Sequence, residues 1–139
     1  MKRVVVIGGS GFIGSHTADE LSKQGYSVTI FDQRLSPWLR IDQDMVEGDI
    51  LDVDALGFAL KDTDIVYHFA GVSDINEAND RPLDAINLNI MGTASVLDVV
   101  SKLNVRRFVY ASTMYVYSPY GSFYRATKQS AETLIEAYY

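Results

Sequence analysis

The 139-residue chain has no cysteine, three prolines, two histidines and one tryptophan. Without cysteine there is no disulfide, no thiolate nucleophile and no cysteine-ligated metal centre. His16 and His68 lie far apart, with no metal-ligand spacing around either, so no metal site is expected. No apolar run approaches the roughly 20 residues of a membrane span. The run Val4–Ile7 after the N-terminal Met-Lys-Arg is too short for a signal-peptide core, so a cytoplasmic protein is expected. Positive charge is also scarce: 12 Lys and Arg stand against 18 Asp and Glu, a net charge of −6. An acidic surface argues against nucleic acid or an anionic membrane as the main partner. It leaves room for an anionic ligand, because a few backbone N–H groups can bind phosphate locally.

The chain does have a balanced globular composition, 47% hydrophobic and 22% charged. Length and composition suit one domain, residues 1–139, without repeats or linkers. Apolar runs at Val4–Ile7, Ser27–Phe31, Asp64–Phe69 and Arg107–Ala111 read as strands, and Asp44–Glu47 as a weaker one. Helical patterns lie between them, over 12–24, 53–60 and 81–103, with a last helix from a Ser122 cap to Tyr139. Gly25 can end the first helix, and Pro82 fits a first-turn position. Leu83, Ile86, Ile90, Ala94 and Leu97 mark the expected buried face of the longest helix. Strand–helix alternation predicts an α/β fold, a Rossmann-like doubly wound parallel sheet that stops after the fifth strand and its helix.

The segment Gly8-Gly9-Ser10-Gly11-Phe12-Ile13-Gly14 follows the first strand and opens the first helix. A tight turn needs a residue free of Cβ strain. Close approach to a pyrophosphate needs a second residue without a side chain, and close helix–strand packing favours a third. The helix N-terminus then offers unpaired N–H groups and a positive dipole end. Two registers fit, through Gly9-Gly11-Gly14 or Gly8-Gly11-Gly14. Asp32 ends the second strand 18 residues beyond Gly14. Its carboxylate can accept hydrogen bonds from adenosine ribose hydroxyls and would repel a 2′-phosphate, which favours NAD over NADP. Arg34 pulls the other way.

Tyr124 and Lys128 stand at i and i+4, one turn apart on one helix face. A free tyrosine has a pKa of about 10 and is a poor base at neutral pH. A nearby ammonium favours the phenolate. Such a tyrosine can exchange a proton with a substrate hydroxyl while a nicotinamide exchanges hydride. Ser112-Thr113 lies at the end of the fifth strand, where ligands bind in open α/β sheets. Thr113 can bond to the same hydroxyl.

These pieces together resemble the extended short-chain dehydrogenase/reductases, the NAD-dependent epimerase/dehydratases acting mostly on nucleotide sugars. The matching segments, in order, are residues 6–14, Asp32, Gly48-Asp49-Ile50, His68-Phe69-Ala70-Gly71, Asn89 with Gly92-Thr93, Tyr110-Ala111-Ser112-Thr113, Val116-Tyr117, and Tyr124 with Lys128 and Glu132. The resemblance implies NAD as cofactor and a nucleotide sugar, a UDP-sugar, as substrate. It implies that Gly8, Gly11, Phe12, Ile13 and Gly14 cradle the pyrophosphate and that Asp49 and Ile50 flank the adenine. Phe69, Ala70 and Gly71 would lead to the nicotinamide ribose. Thr113 and Tyr124 would be catalytic hydroxyls, and Lys128 would bind the nicotinamide ribose and tune Tyr124. His68 is assigned to packing and Asn89 to helix-packing hydrogen bonds. The family also implies a homodimer through the helices over 82–103 and 123–139.

Three departures are visible. Met114 and Tyr115 follow Thr113 where family dehydratases carry Asp and Glu, so that dehydration chemistry is not expected. Val116-Tyr117-Ser118 replaces Val-Tyr-Gly, and the link to Tyr124 is short. The chain stops inside the helix bearing Tyr124 and Lys128, which reads as the N-terminal part of a longer enzyme without its substrate-binding region. Two alternatives remain: a non-catalytic dinucleotide-binding module, and an NADP-dependent carbonyl reductase on the same fold.

Overall fold

The computed structural model describes residues 1–139. Five strands form one parallel sheet: β1 (Arg3–Ile7), β2 (Ser27–Asp32), β3 (Gln43–Glu47), β4 (Ile65–His68) and β5 (Arg107–Tyr110), in the order β3-β2-β1-β4-β5. That order is the Rossmann half-sheet read outward from a central β1. It creates a switch point beside β1, where the chain leaves for β2 on one side and β4 on the other.

Helices cover both faces, and the side chains alternate accordingly. Val4, Val6, Val28 and Ile30 face Ala18 and Leu21 of α1 (Phe12–Lys23). Val5, Ile7, Phe31 and Val66 face the other way, onto Leu56 and Leu60 of α2 (Val53–Leu60) and Val96 and Val99 of α5 (Thr93–Ser101). Full burial of each such side chain is worth roughly 1.5–3 kcal/mol against exposure, so these two layers hold the sheet. Asp52 caps α2 by accepting from the N–H groups of Asp54 and Ala55. A third, smaller core joins Val72 to Ala78 of α3 (Ile75–Asp80) and Ala85 of α4 (Pro82–Ile86). Tyr124 of α6 (Ser122–Ala137) packs against it.

The expected long helix is one continuous run, but its middle, Asn87–Gly92, is π-helical. The extra residue rotates the buried face. Ala85, Asn89, Thr93 and Val96 turn inward, while Leu83 is 78% and Ile86 37% exposed. Of the expected apolar stripe, Leu97 is buried and Ile90 and Ala94 are half-buried, whereas Leu83 and Ile86, before the π-helical segment, do not pack. The run Pro82–Ser101 also reaches the length and mean hydropathy (1.3) of a membrane span, against the sequence expectation. Its inward face belongs to the protein core, the ordinary reason for such a helix in a globular domain.

Two short elements are additional: α3, and a 3₁₀ turn at Met114–Tyr117 capped by the Thr113 hydroxyl. Ser122 is the first residue of α6 rather than its cap. Gly121 takes the cap position with φ 102°, and Ser122 itself has φ 45°.

Candidate active site

The C-terminal ends of β1, β2, β3 and β4 open into one cleft of about 890 Å³. Its walls include Gly8, Gly11, Phe12, Ile13, Gly14, Asp32, Asp49, Ile50, Phe69, Ala70, Gly71 and Tyr124. Thus the expected cofactor residues, Lys128 apart, line a single cavity.

The glycines of the turn have different tasks. Gly8 has φ +80°, and a Cβ there would sit 2.5 Å from the backbone nitrogen of Ala70. A Cβ on Gly14 would lie 2.2 Å from the Gly8 carbonyl oxygen. Strand, turn and helix could not close up with larger residues at these two positions. A Cβ on Gly11 would meet only the Gly8 oxygen, at 3.4 Å, and otherwise open space. The protein itself does not need that position bare, so the empty volume is available to a ligand.

Gly11 is the cap residue of α1, and no side chain caps the helix. The N–H groups of Phe12 and Ile13 have no backbone partner. Both side chains are exposed, Phe12 81% and Ile13 61%. Asp32 is tied to the turn. One of its oxygens accepts from Ser10 N–H and the other from Arg34 N–H, each at 3.1 Å. The Ser10 hydroxyl donates to the Arg34 carbonyl at 2.6 Å. Each carboxylate oxygen keeps further lone-pair capacity toward the cleft. Across the cleft, Asp49 closes an Asx turn by accepting from Leu51 N–H, while Ile50 is 7% exposed and anchored in the main core.

Asn89 organises the opposite wall. Its Oδ1 accepts from Val72 N–H at 2.8 Å, and its Nδ2 donates to the Val72 carbonyl at 3.1 Å and the Thr127 hydroxyl at 2.9 Å. The Thr127 hydroxyl donates in turn to the Tyr124 carbonyl. One buried amide therefore joins the Ala70–Val72 segment to the helix that carries Tyr124. It also presses on Gly71, whose φ is +147° and whose Cβ would lie 2.3 Å from Asn89 Oδ1.

Tyr124 reaches the cleft; Thr113 and Lys128 are not among the residues that line it. Lys128 is 6% exposed, and its ammonium donates to the Ala111 carbonyl at 3.0 Å. Its Nζ lies 5.9 Å from the centre of the Tyr124 ring. Burial pulls its pKa down to about 8. The Thr113 hydroxyl accepts from Tyr115 N–H at 3.3 Å, and the Tyr115 ring meets Tyr124 edge-on at 6.3 Å. The Ser112 hydroxyl donates to Glu132, a second tie between the segment after β5 and α6. His68 is fully buried, bonded to the Thr93 hydroxyl at 3.0 Å, and pushed down to about 3 by burial and then by Lys128. It stays neutral at any ordinary pH, as a packing residue does.

Further cleft residues had no chemical signature of their own. Ser10 sits within the glycine run, and Gln33, Leu35 and Pro37 lie in the loop after Asp32; Ser73 and Leu88 close the far side. Only proximity to the glycine turn and Asp32 could have suggested the first four.

A family model, the NAD dependent epimerase/dehydratase family, matches residues 4–139. The UDP-glucose 4-epimerase of Schizosaccharomyces pombe is 37% identical over 126 residues, which is 82% of this chain and 36% of that protein. The crystal structure of the Brucella ovis UDP-glucose 4-epimerase in complex with NAD superposes with a TM-score of 0.91 at 31% identity, over 99% of this chain and 48% of its own. The Thermotoga maritima UDP-glucose 4-epimerase with UDP-glucose superposes with a TM-score of 0.89 at 26% identity, over 98% of this chain and 50% of its own. The chain thus spans about half the length of those solved structures, and from the strand order to the glycine turn it belongs to the NAD dependent epimerase/dehydratase family.

Proposed function

We propose that this chain supplies the cofactor site and the proton-transfer groups of an NAD-dependent epimerase or oxidoreductase acting on a nucleotide sugar, a UDP-sugar. One observation carries the reading: a single cleft gathers the glycine turn, Asp32, Asp49, the Ala70-Gly71 wall and Tyr124. The residues present fit a dinucleotide. Open space at Gly11 and an uncapped α1 terminus suit a pyrophosphate. Asp32 suits the vicinal hydroxyls of a ribose.

Bound here, NAD would supply the hydride acceptor and donor for a sugar carbon. The chain moves the proton. Tyr124 accepts it from the hydroxyl on that carbon and gives it back in the reverse step. Lys128 places a positive charge on the same helix face, which favours the phenolate during transfer. Thr113, on the loop after β5, hydrogen-bonds the same hydroxyl and holds it toward Tyr124. The aromatic edge of Tyr115 limits where the Tyr124 ring can swing.

We further propose a soluble cytoplasmic homodimer without nucleic acid or membrane partners. The exposed Leu83, Met91 and Phe123 support a second copy against the helices over 82–103 and 123–139, and the net charge of −6 weighs against nucleic acid and an anionic membrane.

Two measurements test the reading. Calorimetry on the chain should give NAD binding, with NADP at least about tenfold weaker if the Asp32 carboxylate meets a 2′-phosphate. Arg34 also lines the cleft, and a preference for NADP would replace this reading by the reductase alternative. In turnover of the full-length protein with UDP-glucose, Tyr124→Phe should lower kcat about 100-fold or more while NAD affinity is kept. Unchanged turnover would remove Tyr124 from the mechanism.

A further inference from the structure

We propose that Tyr110 is a positioning residue, its ring face holding the Lys128 ammonium in place beside Tyr124. The inference rests on the role proposed above for Lys128.

Tyr110 ends β5, in register with His68 of β4. Lys128 Nζ stands 4.8 Å from the centre of its ring. An ammonium has three protons to donate. Here one goes to the Ala111 carbonyl, and no carboxylate comes within ion-pair distance. The titratable groups around it are His68 on β4, Tyr110 on β5, and Tyr124 and Glu132 on α6. His68 is neutral, and Glu132 is engaged with Ser112. The buried charge is therefore met by one carbonyl and the negative faces of two rings. Of these, Tyr110 is the nearer. A cation over an aromatic face is attracted by the ring quadrupole, more strongly where water is excluded.

The hydroxyl of Tyr110 takes no part in this contact. It is buried without a hydrogen-bond partner. The Thr93 hydroxyl lies beside it, close enough to favour its ionised form slightly but outside hydrogen-bonding geometry, and is bonded to His68. What the site uses is the ring.

The Lys128 ammonium can be titrated directly by NMR of its Nζ. Tyr110→Phe keeps the face and should leave the midpoint within a few tenths of a pH unit. Tyr110→Leu removes the face and should lower the midpoint by about one pH unit, the shift expected for losing a desolvated cation–π contact. Progressive fluorination of a phenylalanine at position 110 weakens the quadrupole without changing the shape. It should lower the midpoint stepwise, and it remains available if the leucine variant does not fold. In turnover of the full-length protein, Tyr110→Leu should cut kcat about tenfold and shift the pH–rate limb in the same direction, and Tyr110→Phe should restore both. A midpoint indifferent to leucine and fluorination overturns the inference, as does a phenylalanine variant that behaves like the leucine one. If the midpoint tracks fluorination but NAD fails to bind the unaltered chain, the Tyr110–Lys128 contact stands and the cofactor reading falls.

Discussion

At positions 11 and 14 the same added methyl group should have opposite consequences. Gly14→Ala drives a Cβ to 2.2 Å from a backbone oxygen, where nothing flexible can yield. Thermal unfolding should show a loss of about 1–3 kcal/mol, the usual cost of overpacking. Gly11→Ala has φ −79° and ψ 178°, open space, and no strain to add. It should leave stability unchanged or raise it by about 0.4–1 kcal/mol. Calorimetry should nonetheless find NAD binding weakened at least about tenfold if the pyrophosphate lies against that Cα. A Gly11→Ala variant that binds NAD normally would show the open space to be incidental. Spacing alone pointed to this turn because phosphate binding by backbone would need bare residues at fixed steps, and such steps are visible as letters. Lys128 was also visible as a letter, but its burial was not. Nothing in Tyr-x-x-x-Lys reports that the ammonium is turned toward Ala111 and covered by Tyr110.

Elements were legible where a period ran long enough. The five strands and the helices around 12–24 and 53–60 follow from apolar runs and turn residues, and their observed bounds differ by a residue or two. The π-helical segment was not legible, because a 3.6-residue period cannot announce its own interruption. That interruption turns Asn89, not Ile90, to the inside. Six residues at 75–80 were too few for periodicity, though Asp74 and Glu77 carry the capping signature, and Asp74 does accept from Glu77 N–H. A serine is the commoner cap sign, which points to Ser122, whereas the turn requires positive φ and so takes Gly121. The shifted Asn89 has a measurable weight. Asn89→Ala leaves the Val72 N–H and the Val72 carbonyl without their partner in a buried place, while the Thr127 hydroxyl keeps its bond to the Tyr124 carbonyl. Each stranded buried group costs about 1–3 kcal/mol, so urea unfolding should show a loss of at least about 2 kcal/mol. A loss under about 0.5 kcal/mol would mean that water replaces the amide. Asn89→Leu, apolar and similar in size, should do no better, because the backbone groups of Val72 remain.

Over the whole molecule, three buried titrating groups shape the dependence of stability on pH. His68 falls from an ordinary 6.5 to about 3, so between those values the unfolded chain binds a proton that the native one does not. Stability then drops on acidification through that window, by about 1.4 kcal/mol per pH unit from this one group. Lys128 falls from 10.5 to about 8. Between these values the unfolded chain again holds the extra proton, so stability rises with pH above about 8. Tyr110 is displaced upward from 10.0 by burial and then by Tyr124 and Glu132. Above pH 10 the unfolded chain loses its phenolic proton first, and stability turns down again. Urea melts should therefore give an acid limb below pH 6.5, a shelf from 6.5 to 8, and a rise between 8 and 10. The rise is the diagnostic part, because a buried charged lysine costs stability at neutral pH that an apolar residue would not. Lys128→Met should erase the rise between pH 8 and 10 and keep an acid limb that begins at the same pH but ends sooner, because burial, the larger cause of the low His68 pKa, remains while the repulsion from Lys128 is gone. If the methionine variant keeps the rise, another base is responsible. If the unaltered chain shows no rise, the Lys128 ammonium is solvated in solution, and the aromatic faces of Tyr110 and Tyr124 no longer have a buried charge to hold.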